Sequence, residues 1–110
     1  GMTLIEMASN RANSLCCGGG GGGAWGDPAP RQRLGTLRVE EALSSGAEVI
    51  ATACPYCIRM LNDAVNAAGV EDRIAVRDLA ELLWQSVKVT DEAKMTESLD
   101  LGTEREVCHV

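Results

Sequence analysis

At 110 residues with a formal charge of −6, the chain is of single-domain length, and its acidic balance excludes the clustered Lys and Arg of a nucleic-acid phosphate footprint. No apolar run approaches the roughly 18 residues of a membrane span, and the first residues lack the basic head and apolar stretch of a signal peptide. With no Phe, one Tyr and two Trp, any core must be aliphatic.

The opening "MTLIEM", with Leu4 and Ile5, predicts a first strand. A polar loop, "ASNRANS", leads into "SLCCGGGGGGAW", Ser14 to Trp25, where two cysteines stand against six glycines. Thr36 to Ser45 has a helical pattern, and Gly46 is placed as its C-terminal stop. "AEVIATA" is short and β-branched at its centre, the pattern of a buried strand. A second helix starts at Cys54, with Pro55 at the first helical position, where a missing N–H costs nothing. Ile58, Leu61, Val65 and Ala68 recur on its apolar face, and Gly69 closes it. "RIAV" predicts a third strand. In "DLAELLWQSV", Asp78 as N-cap and Glu81 three residues on form a capping box, with Leu79, Leu82, Leu83 and Val87 along one side.

Strands alternating with helices predict an α/β fold: a small three- to four-stranded parallel sheet flanked by helices and joined by right-handed crossovers. Residues 1–87 form this domain. Residues 88–110 are polar and read as a disordered, flexible tail.

Five cysteines without a secretion signal point to a reducing compartment, the cytoplasm, where close cysteine pairs bind metal or do redox work. On a regular strand Cys16 and Cys17 point to opposite faces, so bringing both to one centre requires a sharp bend, which glycine permits. The N–H groups of Gly18, Gly19 and Gly20 can form a concave nest for something negatively charged. Cys54 ends a strand and Cys57 lies in the first helical turn, where the helix dipole and free N–H groups favour thiolates. In a parallel sheet both strand-to-helix loops open on the carboxyl edge, where such folds bind ligands. Cys16, Cys17, Cys54 and Cys57 therefore make a candidate Cys₄ set for an iron–sulfur cluster or for zinc.

"NSLCCGGGGG" followed by "ACPYC" resembles the CCG cysteine-rich domain of heterodisulfide reductases and of the iron–sulfur components of related oxidoreductases, over roughly residues 1 to 87. "NRANSLCCGGGGG" and "ATACPYCIRMLNDAV" are closest to the iron–sulfur oxidoreductases linked to acyl-CoA dehydrogenases and electron-transfer flavoproteins. The resemblance implies that the four cysteines ligate a cluster, of [4Fe–4S] type, in an electron-transfer oxidoreductase. It implies partners too: other oxidoreductase subunits or the missing N-terminal part, and a flavoprotein electron donor. The family pattern begins with a further cysteine upstream of the pair, absent here, so the chain reads as the C-terminal piece of a longer subunit or as a naturally shortened relative, its domain incomplete and inactive alone. Some members of the family hold a noncubane [4Fe–4S] centre with five cysteine ligands, and a site of that kind would need Cys108 or a partner chain to supply the fifth.

Other readings stand beside this one. A zinc-binding or metal-free module would use the same cysteines to dock partner subunits. "CPYC" alone matches the redox motif of glutaredoxins, whose first cysteine attacks disulfides. That reading leaves Cys16, Cys17 and the glycines unexplained, and no "TVP"-like segment follows. The glycine run can also be a linker, but no Gly-Lys-Ser/Thr follows to make it a phosphate loop. Arg31 and Arg33 are candidates to offset thiolate charge. Cys108 reads as a free thiol, His109 as inert, Met2 and Met60 as core filler, and Glu40, Glu41, Glu71 and Asp72 as solvated faces.

Overall fold

A computed structural model describes residues 2–26, 33–95 and 105–109. Four strands, β1 (Met2–Ile5), β2 (Val49–Thr52), β3 (Ala75–Asp78) and β4 (Arg105–His109), form one sheet in the order β1-β4-β2-β3. Every pairing is parallel. Three helices connect them: α1 (Leu34–Ser44), α2 (Pro55–Ala68) and α3 (Leu79–Met95). The expected α/β class and parallel sheet are what the chain adopts.

Right-handed crossovers decide which face each helix covers. The steps from β1 to β2 and from β2 to β3 run in one direction across the sheet, so α1 and α2 share a face. The return from β3 to β4 sends α3 to the other. The period-2 alternation of the strands matches this split. Ile50, Val76 and Cys108 join Val39, Ala42, Leu61 and Val65 in one buried cluster, whereas Val49, Ala51 and Val107 pack with Leu82 in a second. The register sets Ile50 beside both Val76 and Cys108, a continuous apolar row under α1 and α2.

The helix ends lie where local chemistry puts them. Pro55 occupies the first turn of α2 with Cys54 as N-cap, and Gly69, at φ 66°, closes it in the left-handed conformation that costs a glycine nothing. The Gly69 and Val70 amides bond back to the carbonyls of Asn66 and Val65. Asp78 caps α3 by accepting the Ala80 N–H at 2.7 Å. Helix α1 begins at Leu34, two residues earlier than predicted, and the third strand lies two residues later.

Three expectations are corrected. The segment after residue 87 is not a flexible tail throughout: α3 continues to Met95, and Arg105–His109 is an interior strand between β1 and β2. Only Val107 and Cys108 are apolar there, too few for a sequence pattern, yet both edges of β4 are paired and its two apolar side chains enter the two separate cores. Residues 96–104 lie outside the described ones. On α2 the buried stripe is Leu61, Ala64 and Val65, with Cys57 and Met60 alongside; Ala68 is exposed because the helix has passed the end of the core. Among the α3 residues whose burial is described, Leu79 to Lys88, Leu82 alone is buried. Leu79, Leu83, Trp84 and Val87 are exposed, as is Met2, because α3 is the one described helix on its face and lies against β2 and β3. Met2, Leu4, Leu79, Leu83 and Val107 thereby line an open apolar groove of about 480 Å³. No described helix is long and apolar enough to cross a membrane.

Candidate metal centre

Both cysteine pairs follow the carboxyl end of a strand. The first lies in the long loop after β1, the second at the junction of β2 and α2. In this junction the Cys54 amide donates to Thr52 Oγ at 3.3 Å and the Cys54 carbonyl accepts the Ile58 N–H at 3.0 Å, so Cys54 is held at the helix mouth and Cys57 falls one turn deeper.

The two loops meet through sulfur. The Cys57 thiol donates to Cys17 Sγ at 3.2 Å. Cys17 is 3 % exposed and belongs to the main core cluster, with Cys57 and Met60 packed against it. Cys16 and Cys54 flank this buried contact as exposed thiols. Adjacent residues in an extended loop face opposite ways, so Cys17 points into the core and Cys16 outward. All four sulfurs stand on one rim, as the topology predicts.

The glycine run shapes that rim. Gly18, at φ 88°, turns the chain straight after the pair and donates its N–H to Cys16 Sγ at 3.3 Å. The loop then folds back so tightly that a Cβ on Gly23 would stand 2.1 Å from the Gly18 carbonyl oxygen, which no side chain tolerates. Gly19 lies on Met60, which fills core space as expected. Of the three glycines predicted to donate to a negatively charged group, Gly18 and Gly20 aim their amides at Cys16, while Gly19 is a packing contact.

Backbone donors and burial sort the thiols into two kinds. The Gly18 amide, with smaller help from Gly20 and Cys17, lowers Cys16 below an ordinary thiol. The Cys57 amide, with the Cys57 thiol and the Tyr56 amide, does the same for Cys54. Burial, reinforced by the neighbouring sulfurs, pushes Cys57 up to about 12. The exposed pair thus ionises more readily than an ordinary thiol, whereas Cys57 holds its proton.

All four donors are soft thiols, the set that suits iron–sulfur clusters and zinc. Among the described residues no three His, Cys, Asp or Glu side chains gather about one point as a single ion requires. The sulfurs are linked pairwise along the rim. Cys108 lies in the aliphatic core beneath, 0 % exposed, its thiol pushed up to about 11 by burial. It is a free thiol, as predicted, but an interior one. His109 is exposed at the end of β4. Arg31 lies outside the described residues, and Arg33 stands at the N-cap position of α1.

One group was not legible in the sequence. Arg38, 1 % exposed, reaches from α1 to the Ser9 carbonyl, to Ser14 Oγ at 3.0 Å and to Glu41 Oε2 at 2.9 Å. Glu41 also accepts from the Ser9 hydroxyl, so it is not the solvated side chain expected. Glu40, Glu71 and Asp72 are exposed, as their reading had it. An arginine inside an amphipathic helix ordinarily marks a solvent face, and nothing local signals a loop folding over it.

The family model for the CCG cysteine-rich domain matches residues 1–62, taking in both cysteine motifs. A probable iron-sulfur-binding oxidoreductase, FadF, from Bacillus subtilis is 41 % identical over 91 residues, covering 83 % of this chain and 13 % of that protein. The EtfAB:quinone oxidoreductase of Syntrophomonas wolfei is 34 % identical over 95 residues, 80 % of this chain and 13 % of that protein. A component of the dihydromethanophenazine:CoB–CoM heterodisulfide reductase from Methanosarcina barkeri is 34 % identical over 87 residues, 79 % of this chain and 21 % of that polypeptide. The chain thus spans only an eighth to a fifth of the length of these relatives. No solved structure gives a significant match. With a family match over more than half its length and its two cysteine pairs gathered on one rim, the chain belongs to the CCG cysteine-rich domain family.

Proposed function

We propose that this domain holds an iron–sulfur cluster of the [4Fe–4S] type through Cys16, Cys17, Cys54 and Cys57, and that it carries electrons within a larger oxidoreductase. The meeting of the two loops at Cys17 and Cys57 carries the reading, since it joins both motifs into one donor set. The name of the Bacillus relative, an iron-sulfur-binding oxidoreductase, supports an iron–sulfur group over a single zinc ion. When bound, such a cluster supplies one-electron redox chemistry. The protein holds the thiolates and excludes water at Cys17. The Gly18, Gly20 and Cys57 amides directed at sulfur stabilise negative charge there and raise the potential of what is held.

The groove between α3 and β1 supports the partner reading. Its apolar side chains suit packing against further polypeptide, either a separate oxidoreductase component or the upstream part of a longer chain. A flavoprotein donor and a quinone- or thiol-type acceptor are the proposed redox neighbours, the names of the Syntrophomonas and Methanosarcina relatives supporting the acceptor. Close cysteine pairs of the kind that bind metal or do redox work are the ground for placing the domain in a reducing compartment, the cytoplasm.

One observation favours a second reading. Cys54 is exposed with a lowered pKa and Cys57 is recessed with a raised one, the asymmetry of an attacking and a resolving thiol in a Cys-x-x-Cys exchange site. Anaerobic purification separates the two. Iron with acid-labile sulfide supports the cluster; metal-free protein that rapidly reduces glutathione disulfide supports exchange.

A further inference from the structure

We infer that Arg38 is a positioning residue for the double cysteine: a buried clamp, made with Glu41, that fixes the loop from which Cys16 and Cys17 project. The inference rests on the reading of that pair as ligands. The guanidinium holds the loop at two points, the Ser9 carbonyl and Ser14 Oγ, the second only two residues before Cys16. Glu41, one turn further along α1, accepts from Arg38 Nη1 at 2.9 Å and from the Ser9 hydroxyl, closing a ring of three residues. Among the described residues Arg38 Nε has no partner although it is fully buried.

Burying a guanidinium with one N–H unmet is a poor way to add stability, because an aliphatic side chain of similar volume would avoid the desolvation cost. What the arginine supplies is geometry. A planar fork with several donors locks two separate loop atoms to one helix position, which no aliphatic residue does. The loop needs such a lock: between Ile5 and Leu34 it has no strand pairing among the described residues, and its glycines lack side chains to pack. The clamp stops the segment ahead of the cysteines from lifting, so Cys17 stays in the core against Cys57.

The test uses the metal-free, reduced chain, so it does not depend on which cofactor binds. Native-state alkylation by iodoacetamide, read cysteine by cysteine by mass spectrometry, carries its own control. Cys17 reports opening of the loop, and Cys108, buried in the same core, reports loosening of the whole domain. Ser14→Ala, Glu41→Gln and Arg38→Lys should each speed Cys17 labelling about tenfold, the change that ~1.4 kcal/mol produces, and leave Cys108 unchanged. Ser14→Thr, which keeps the hydroxyl, should restore the wild-type rate. Unchanged Cys17 labelling in the variants, or acceleration of Cys17 and Cys108 by one common factor, overturns the clamp. If the wild-type protein holds no iron while the variants show the Cys17-specific effect, the cluster reading falls and the clamp stands.

Discussion

Cys17 Sγ and Cys57 Sγ stand 3.2 Å apart although forty positions separate them in the sequence. The contact forms because β1 and β2 run parallel in one sheet, so the loops that follow them open on the same edge. One pair is then delivered by a bend and the other by a helix mouth. That shared edge makes a single site of two motifs.

Each loop should be necessary for retention of metal. Cys17→Ser and Cys54→Ser, one from each motif, are expected to lose bound iron completely after anaerobic purification while keeping the wild-type helix content by circular dichroism. Iron analysis of the two variants beside the wild type checks this.

Thiol reactivity should follow the order set by backbone donors. Cys16 and Cys54, both exposed and held below the ordinary thiol value, should alkylate first, and their rates should fall off at lower pH than that of an ordinary thiol. Cys57, pushed up to about 12, should react slowly throughout and still be accelerating in strong alkali. A pH–rate profile for each cysteine in metal-free protein gives the order directly.

Burial of Cys108 makes stability fall in alkali. Its thiol titrates near 11 in the folded chain against 9.0 for an ordinary thiol. Below 9.0 both states keep the proton and stability is unaffected. Between those values the unfolded chain ionises and the folded one does not, so stability declines as pH rises through the window. Thermal midpoints from about pH 8 to 11 should drop more steeply for wild type than for Cys108→Ala, once the pH-independent cost of the cavity is subtracted.

The glycine loop and helix α3 should answer differently to substitution. Gly23→Ala drives a methyl group into the Gly18 carbonyl and should cost about 1–3 kcal/mol and weaken metal retention. Leu82→Ala empties the second core and should cost about 2–5 kcal/mol. Leu83→Ala, at an exposed position, should change the stability of this chain by less than about 0.5 kcal/mol. In a longer protein where the groove is covered, Leu83→Asp should weaken the assembly; urea titrations and co-purification measure the two effects.

Much of the fold was legible because its punctuation is local. Pro55, Gly46, Gly69 and Asp78 mark helix ends through a missing donor, a left-handed turn or a capping carboxylate, and each acts where the sequence puts it. The cysteine rim was legible from topology, because parallel strands followed by loops must open on one edge. What escaped notice depends on distant partners. Arg105–His109 is a strand because two neighbouring strands accept it, a fact no five-residue pattern contains. The stripe of Leu79, Leu83 and Val87 on α3 announces an apolar face without saying what covers it. Arg38 is buried because the long loop between β1 and α1 folds back over it, with partners 24 and 29 positions earlier in the chain.

Purification without oxygen, followed by iron, sulfide and zinc analysis and an EPR spectrum of the reduced protein, tests the central claim most directly. Iron and acid-labile sulfide in matching amounts, with an EPR signal that disappears in Cys17→Ser and in Cys54→Ser, is the predicted result. Stoichiometric zinc without sulfide, or an iron centre that survives both substitutions, would contradict it.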